Sequence, residues 1–163
     1  MIGNIRRFDL KYAFEVRIDG LTDLAFATCS EPSVAIGEAM LWQGGSQIPI
    51  KEPTRLTFND VTLERGSCRD IQIYQWFESV GNAAIRSGAA GTGAGTAQSP
   101  LYKRNAEIYQ KDRLGSYKEG IRLFNAFPKE YSVGDFSNDA DEFRIERLVL
   151  SYDYFKRIII TPF

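Results

Sequence analysis

The sequence predicts a mainly β fold: one domain that forms an antiparallel β-sandwich or barrel with a single flanking α-helix at about residues 70–80. Apolar and polar residues alternate with period two along most of the chain, which is typical of strands with one buried face. A single segment has helical spacing instead. The 163 residues, 44% hydrophobic and 13% aromatic, suffice for one sizeable core, so we expect residues 1–163 to form a single domain.

The first predicted strand has apolar residues at every second position: Tyr12, Phe14, Val16 and Ile18. Gly20 ends it. Residues 24–29 are predicted to form a short return strand, which the sequence EPS at 31–33 interrupts because proline cannot continue a strand ladder.

A long hairpin follows, which runs to a turn at Gly44-Gly45 and returns from Ile48. Bulky and small residues alternate on its first strand up to Trp42 at the tip. Because the face that includes Ala39 has mainly small side chains, we expect another surface to approach it closely. An exposed Trp at a hairpin tip would indicate a contact surface.

The helix is predicted from apolar residues at positions i, i+3, i+4 and i+7: Ile73, Trp76, Phe77 and Val80. Ser67 or Asp70 is the predicted N-terminal cap, and Gly81 is the predicted end. A helix of about three turns is stable only when it packs against other elements, so we expect it on the flank of the sandwich.

Residues 81–99 consist almost entirely of Gly, Ala, Ser and Thr. This composition cannot bury enough apolar surface to offset its ordering entropy, so we predict a mobile Gly-rich loop in the isolated subunit. Gly91, Gly93 and Gly95 are spaced as in a phosphate-binding loop, but no Lys-Ser/Thr pair follows them. A loop ordered by a neighbouring subunit and a plain flexible linker both fit the composition.

A second long hairpin is predicted at residues 102–125, and Tyr117 begins its second strand. The sequence NAFP at 125–128 is predicted to turn the chain off this strand. An acidic loop and a closing strand at 143–155 follow. Two long hairpins offer strands that can join those of neighbouring subunits in a closed barrel, which removes unpaired sheet edges.

Composition argues against catalysis. Histidine is absent, which removes the commonest general base and the commonest metal ligand. Cys29 and Cys68 are predicted to be buried free thiols, and the acidic loop lacks the spacing and central Gly of a calcium-binding loop. We therefore predict no enzyme activity, no cofactor and no metal site. The formal net charge of -1 offers no whole-chain case for binding nucleic acid.

Short motifs occur in a definite order along the chain. The first strand reads FEVRIDGL at 14–21, the hairpin tip WQGG at 42–45, and the next strand LERG at 63–66, followed by Trp76. The sequence NAFP, the acidic loop and Glu146 ahead of alternating apolar residues complete the order. Together these motifs resemble the tail tube protein family of contractile-tailed phages and related contractile injection systems.

The resemblance implies a structural protein of the inner tail tube, in which the long hairpins form a hexameric barrel and the rings stack. DNA or other cargo would pass through the lumen without specific binding, and we expect a neutral to acidic lumen because a basic wall would retain DNA. The predicted subunit interface comprises Phe8, Ala39, Trp42, Gly44, Gly45, Ile48, Gly91, Gly93, Gly95 and Tyr117.

The partners that the resemblance implies are further copies of the chain, a sheath protein, a baseplate hub and a tape-measure protein. Assembly would occur in the bacterial host cytoplasm, and the product would be part of a virion tail or injection particle. No run approaches the roughly 18 apolar residues of a membrane span, so no membrane anchor is predicted.

Two alternatives remain open at this stage. A baseplate hub or tube-initiating protein has the same fold as a tube subunit, and the sequence does not separate the two. An oligonucleotide-binding β module is the other, because aromatic and basic residues such as Phe124, Tyr154 and Arg157 occur together near the end of the chain. Core packing explains most of these aromatic residues.

Overall fold

The computed structural model describes residues 13–22, 24–88, 102–112, 114–139 and 141–159, and these form nine β-strands and one α-helix. The helix α1 spans Gln72–Gly88. The strands are β1 Phe14–Ile18, β2 Thr28–Cys29, β3 Val34–Leu41, β4 Ile50–Phe58, β5 Val61–Gly66, β6 Arg104–Lys111, β7 Tyr117–Ser132, β8 Ile145–Ser151 and β9 Tyr154–Ile159.

Two antiparallel sheets share strand β7. Sheet A has the strand order β1-β6-β7-β9, and sheet B has the order β7-β8-β5-β2. The N-terminal half of β7 pairs with β6 and β9, whereas its C-terminal half pairs with β8. Strands β3 and β4 form a separate two-stranded sheet. The predicted mainly β, antiparallel fold with one helix is confirmed.

The core lies between the two sheets and beneath α1. Alternate residues of β1 and β5 are buried in it: Val16, Ile18, Val61 and Leu63. Ile73 and Trp76 of α1 join this core, as the predicted helical stripe requires. The indole Nε1 of Trp76 donates a hydrogen bond of 2.7 Å to the carbonyl oxygen of Tyr102, so the one polar atom of this buried ring is satisfied.

Strand β7 passes from sheet A to sheet B at a bulge around Asn125. At this bulge β7 has one more residue than its partner β6. Asn125 has a φ of 54°, a left-handed conformation that asparagine tolerates better than most residues, and its amide donates a hydrogen bond of 2.8 Å to Asp153. The predicted turn at 125–128 is therefore wrong, because the sequence NAFP lies inside one continuous strand.

A buried ion pair connects sheet B to the helix. Nε of Arg65 on β5 lies 2.7 Å from Oε2 of Glu146 on β8. Tyr131 on β7 donates a hydrogen bond of 2.6 Å to Oε1 of Glu146, and burial together with this bond raises the pKa of Tyr131 to about 12. Arg65 also contacts Asp70 at 3.2 Å, and Asp70 caps α1 by accepting a 3.0 Å hydrogen bond from the backbone N–H of Gln72.

The helix boundary differs from the prediction. It does not end at Gly81 but continues to Gly88, since one interior glycine costs a helix only about 1 kcal/mol. The segment predicted as a Gly-rich loop at 81–99 therefore begins as helix. Residues 89–99 of that segment lie outside the described residues.

Three further expectations are corrected. The predicted return strand at 24–29 is reduced to Thr28–Cys29 and pairs with β5. The predicted closing strand at 143–155 is two strands, because the chain reverses after β8 so that β8 and β9 can pair with different halves of β7. Of the two cysteines predicted to be buried, Cys68 is exposed, because it lies in the connection that follows β5, and Cys29 is only partly buried.

Replacing Glu146 by alanine is expected to lower the free energy of unfolding by about 3 kcal/mol, because the buried Arg65 guanidinium then loses the carboxylate at 2.7 Å. Urea denaturation followed by circular dichroism measures the change. Glu64→Ala is the matched control, since Glu64 pairs across the same two strands with the exposed Arg147 and should change stability little. Equal losses in the two variants would contradict this role.

Replacing Asn125 by valine is expected to cost about 1–2 kcal/mol, because a β-branched residue disfavours the left-handed conformation. Asn125→Gly is the companion variant. It retains the backbone conformation and loses only the hydrogen bond to Asp153, so it should be the less damaging of the two. A valine variant with the wild-type urea midpoint would show that the bulge does not depend on residue 125.

Candidate assembly surfaces

The β3–β4 hairpin is the first candidate surface, because it leaves the sandwich as a separate sheet. All residues of β3 are exposed, and all residues of β4 except Phe58. Trp42 and Ile48, on either side of the turn, are 62% and 78% exposed. The other exposed large apolar side chains of the hairpin are Val34, Ile36, Met40, Leu41, Ile50 and Leu56.

This exposure on both faces has a physical consequence. A two-stranded hairpin by itself is only marginally stable in water, and monomeric proteins rarely expose contiguous apolar surface of this kind. At the tip, Gly45 adopts a φ of 84°, which glycine permits without strain. The hairpin therefore has the properties of a segment that is completed by contact with another chain.

The second candidate surface is the face of sheet A that points away from the core. We call it the outer face of sheet A and define it by Glu15, Arg17, Glu107, Tyr109, Lys111, Tyr117 and Arg122. Nε of Arg17 lies 2.7 Å from Oε1 of Glu15, and Lys111 pairs with the same carboxylate. On the next strands, Nε of Arg122 donates a hydrogen bond of 2.6 Å to Glu107.

These contacts keep both carboxylates of the outer face ionised. Hydrogen bonds from Lys111 and Arg17 lower the pKa of Glu15 to about 2. Burial acts to raise the pKa of Glu107, but hydrogen bonds from Tyr109 and Arg122 outweigh it and lower that pKa.

A glycine opposite Tyr109 makes room for the ring. A Cβ atom at Gly120 would lie 2.8 Å from Cδ1 of Tyr109, so only glycine lets the ring lie across β7. The rings of Tyr109 and Tyr117 lie side by side at a tilt of 55°, with centroids 5.1 Å apart. The outer face of sheet A is therefore ordered, and its charged residues are three cations paired with two carboxylates.

The two edges of sheet A form a complementary pair. Within the described ranges, β1 and β9 each have a neighbouring strand on one side only. Because three antiparallel pairings separate them, β1 and β9 run in opposite directions. The β9 edge of one copy can therefore pair in antiparallel fashion with the β1 edge of another.

A groove of about 1130 Å³ lies between α1 and the connection from β7 to β8. Its aromatic lining is Tyr74, Phe77, Tyr131, Phe136 and Phe143. Phe143 is 93% exposed, and the Arg144 guanidinium lies 4.6 Å above the ring of Phe136. This groove is a third apolar surface, on the helix side of the molecule.

The structure groups some of the predicted interface residues and separates others. Ala39, Trp42, Gly44, Gly45 and Ile48 lie together on the β3–β4 hairpin and its turn. Tyr117 lies apart from them, on the outer face of sheet A. The other predicted residues, Phe8, Gly91, Gly93 and Gly95, lie outside the described residues. Contact of any of these residues with another subunit stays a prediction.

Sequence reasoning missed two of these surfaces. Nothing singled out Glu15 and Glu107, although opposite charges at alternating positions of neighbouring strands were a signal for a ladder of ion pairs. The groove was missed as well. Phe136 and Phe143 flank the acidic loop on both sides, and two aromatic residues in an otherwise polar connection were the signal there.

The described residues offer little for catalysis. No three His, Cys, Asp or Glu side chains among them are grouped as metal ligands. Burial raises the pKa of the Cys29 thiol to about 11, which is the opposite of the shift that makes a thiol reactive. In the same part of the chain, no helix has both the length and the hydropathy of a membrane span.

Residues 10–156 match the family model of the T4-like virus tail tube protein gp19. No match was found among curated protein sequences. Several solved structures of contractile systems share the fold. A chain of the anti-feeding prophage cap, which is a tube terminating cap, has 15% identity and a TM-score of 0.75 over 96% of this chain and 94% of that chain.

Two other structures are similar to the same extent. A chain of the sheath–tube complex of an extracellular contractile injection system, PVC, in its extended state has 16% identity and a TM-score of 0.73, over 96% of this chain and 95% of that chain. A chain of the anti-feeding prophage baseplate has 16% identity and a TM-score of 0.72, over 93% of this chain and 96% of that chain.

The ion pairs of the outer face lead to a pH prediction. Since the pKa of Glu15 falls from 4.5 to about 2 on folding, its contribution to stability is complete above pH 4.5 and disappears as the pH falls towards 2. The Glu15→Gln variant should therefore lose less stability than wild type over this interval. Urea midpoints measured at several pH values test this, and parallel pH profiles of the two proteins would contradict it.

Proposed function

We propose that this chain, which belongs to the family of the T4-like virus tail tube protein gp19, forms hexameric rings. These rings would stack into a hollow tube. This tube would be the inner tube of a contractile phage tail or a related injection machine. The family match covers the helix, the hairpin and both sheets except the last three residues of β9. The proposed role is structural, and its mechanism is the geometry of assembly.

The observation that supports ring formation best is the antiparallel relation of the two edges of sheet A. Because β1 and β9 run in opposite directions, a ring of identical copies continues one antiparallel sheet from subunit to subunit. In a closed ring no edge of sheet A remains unpaired. Six copies of this four-stranded sheet would then form the wall of the channel.

Closure of the ring would also determine which surface of the subunit faces the channel and which faces outward. With sheet A as the wall, its polar outer face lines the channel and the hydrophobic core lies behind it. The helix α1 and its groove lie farther from the channel axis. The residues that define this face are three cations and two carboxylates, so the lining has a small excess of positive charge, which differs from the expected neutral to acidic lumen. Because these cations are paired with carboxylates, the lining would still let DNA or other cargo pass without specific binding.

The β3–β4 hairpin would provide contacts between subunits. It belongs to neither sheet A nor sheet B, so its exposed apolar residues are available to a neighbouring subunit in the same ring or in the next one. Burial of such residues stabilises an interface by about 2 kcal/mol for each large side chain. The predicted contacts of Trp42 and Ile48 belong to this interface.

Other partners belong to the same proposal. The groove beside α1 faces outward in this arrangement, and its exposed Phe136 and Phe143 suit a contact with a sheath protein. A baseplate hub and a tape-measure protein are further proposed partners. Assembly in the bacterial host cytoplasm is proposed with them.

A terminal ring is the second candidate function. The similarity to a tube terminating cap and to a baseplate chain is as extensive as the similarity to the sheath–tube complex. A cap, hub or initiator would form one ring, whereas a tube subunit would form stacks. Negative-stain microscopy of the purified protein separates the two, because stacked rings of uniform diameter are expected for a tube subunit.

Replacing Trp42 and Ile48 together by serine should raise the concentration needed for ring or tube formation by at least about tenfold, because two exposed apolar contacts are lost. Microscopy over a concentration series measures this. The fold of the subunit should remain intact by circular dichroism, since the hairpin lies outside the core.

Ile71→Ser is the matched control, because Ile71 is exposed to a similar extent, 58%, but lies before α1. It should assemble like wild type. Two results would contradict the proposed interface: normal assembly of the hairpin variant, or equal loss of assembly in both variants. A wild-type protein that remains monomeric at high concentration would contradict the proposed tube.

A further inference from the structure

Three of the cations on the outer face of sheet A are held by carboxylates of the same face. Arg17 and Lys111 both pair with Glu15, and Arg122 pairs with Glu107. The three pairs involve the adjacent strands β1, β6 and β7 and so extend across the sheet. Two carboxylates therefore pair with three cations, and one positive charge is left in excess.

Two tyrosines hold this arrangement in place. The OH of Tyr109 donates a hydrogen bond of 2.6 Å to Glu107, and the OH of Tyr117 donates one of 3.1 Å to Glu15. The guanidinium of Arg17 lies 5.4 Å and 5.0 Å from the ring centroids of Tyr109 and Tyr117. The charged groups are thus directed along the sheet, towards one another, rather than away from it.

This orientation affects how the surface interacts with a polyanion. Proteins bind DNA non-specifically when Lys and Arg neutralise phosphates and release counterions. A guanidinium that is already hydrogen-bonded to a carboxylate must first break that charge-assisted bond to reach a phosphate. One exposed lysine of the same face, Lys156 opposite Arg122, leaves a weak residual attraction.

We propose that Glu15 and Glu107 keep the cations of this face from binding phosphate groups; these cations are Arg17, Lys111 and Arg122. Double-stranded DNA can then slide along the outer face of sheet A without being retained. This inference rests on the proposed function, in which that face lines the channel. It assigns the two carboxylates a role in cargo passage. The cargo class that it concerns is double-stranded DNA.

The test uses the full-length Glu15→Gln/Glu107→Gln variant and a fluorescently labelled DNA duplex of about 20 base pairs. Fluorescence anisotropy at 50–200 mM salt should show about tenfold or tighter binding than wild type, with a log–log salt slope steeper by about 2 to 3, since three cations are released. Circular dichroism confirms that the variant is folded.

The matched control is Glu31→Gln/Glu52→Gln, which changes the net charge equally. Glu31 lies between β2 and β3 and Glu52 lies on β4, away from the outer face of sheet A, and within the described residues neither holds a cation in an ion pair. The control should bind DNA like wild type. Unchanged binding by the Glu15/Glu107 variant overturns the proposal, and so does equally tight binding by the control, which would make net charge alone the cause.

Microscopy of the same samples separates this inference from the proposed function. Rings together with unchanged DNA binding by the Glu15/Glu107 variant would support the proposed tube and contradict the role of the two carboxylates. Tight DNA binding by the variant, with no rings in any sample, would support the role of the two carboxylates and contradict the proposed tube.

Discussion

The fold depends on one constraint, which is that the 16-residue strand β7 belongs to both sheets. Its N-terminal half pairs with β6 and β9, and its C-terminal half pairs with β8. The strand can change sheets only because Asn125 adopts a left-handed conformation at a bulge. Everything that surrounds the core is placed relative to this strand, including α1, which rests on its C-terminal half through Tyr131.

This constraint also separates the surfaces of the molecule. Because β7 leaves sheet A at the bulge, sheet A keeps one polar face that is not covered by sheet B or α1. The ion pair of Arg65 and Glu146 fixes sheet B and the start of α1 on the other side of the core. The hairpin of β3 and β4 takes no part in either sheet and is left with its apolar residues exposed. A polar wall, a packed core and an unpartnered hairpin are the parts that a ring-forming subunit requires.

Local patterns in the sequence predicted local structure well. Alternation identified β1, and the spacing of Ile73 and Trp76 identified the helix, since both patterns depend only on the period of the element. The sequence NAFP was misread because its composition is typical of a turn, and only the pairing of β7 with β8 and β9 shows that the strand continues. The left-handed backbone of Asn125 is locally unfavourable, and hydrogen bonds to Asn105 and Asp153, which are distant in sequence, stabilise it.

The candidate surfaces were harder to predict for the same reason. Glu146 was noticed as part of a family motif, but its partner Arg65 is 81 residues away in sequence, so its structural role was hidden. The hairpin was predicted as strands, yet alternation implies one buried face, whereas both faces are exposed. An interface between subunits leaves the same apolar pattern in a sequence as a core does.

Ring formation through the edges of sheet A can be seen in a cryo-EM reconstruction of the assembled particles. We expect sixfold rings in which β1 of each subunit pairs in antiparallel fashion with β9 of the next, with Glu15 and Glu107 facing the channel. Rings in which the β1 and β9 edges remain unpaired, or in which the outer face of sheet A points away from the channel, would contradict this expectation.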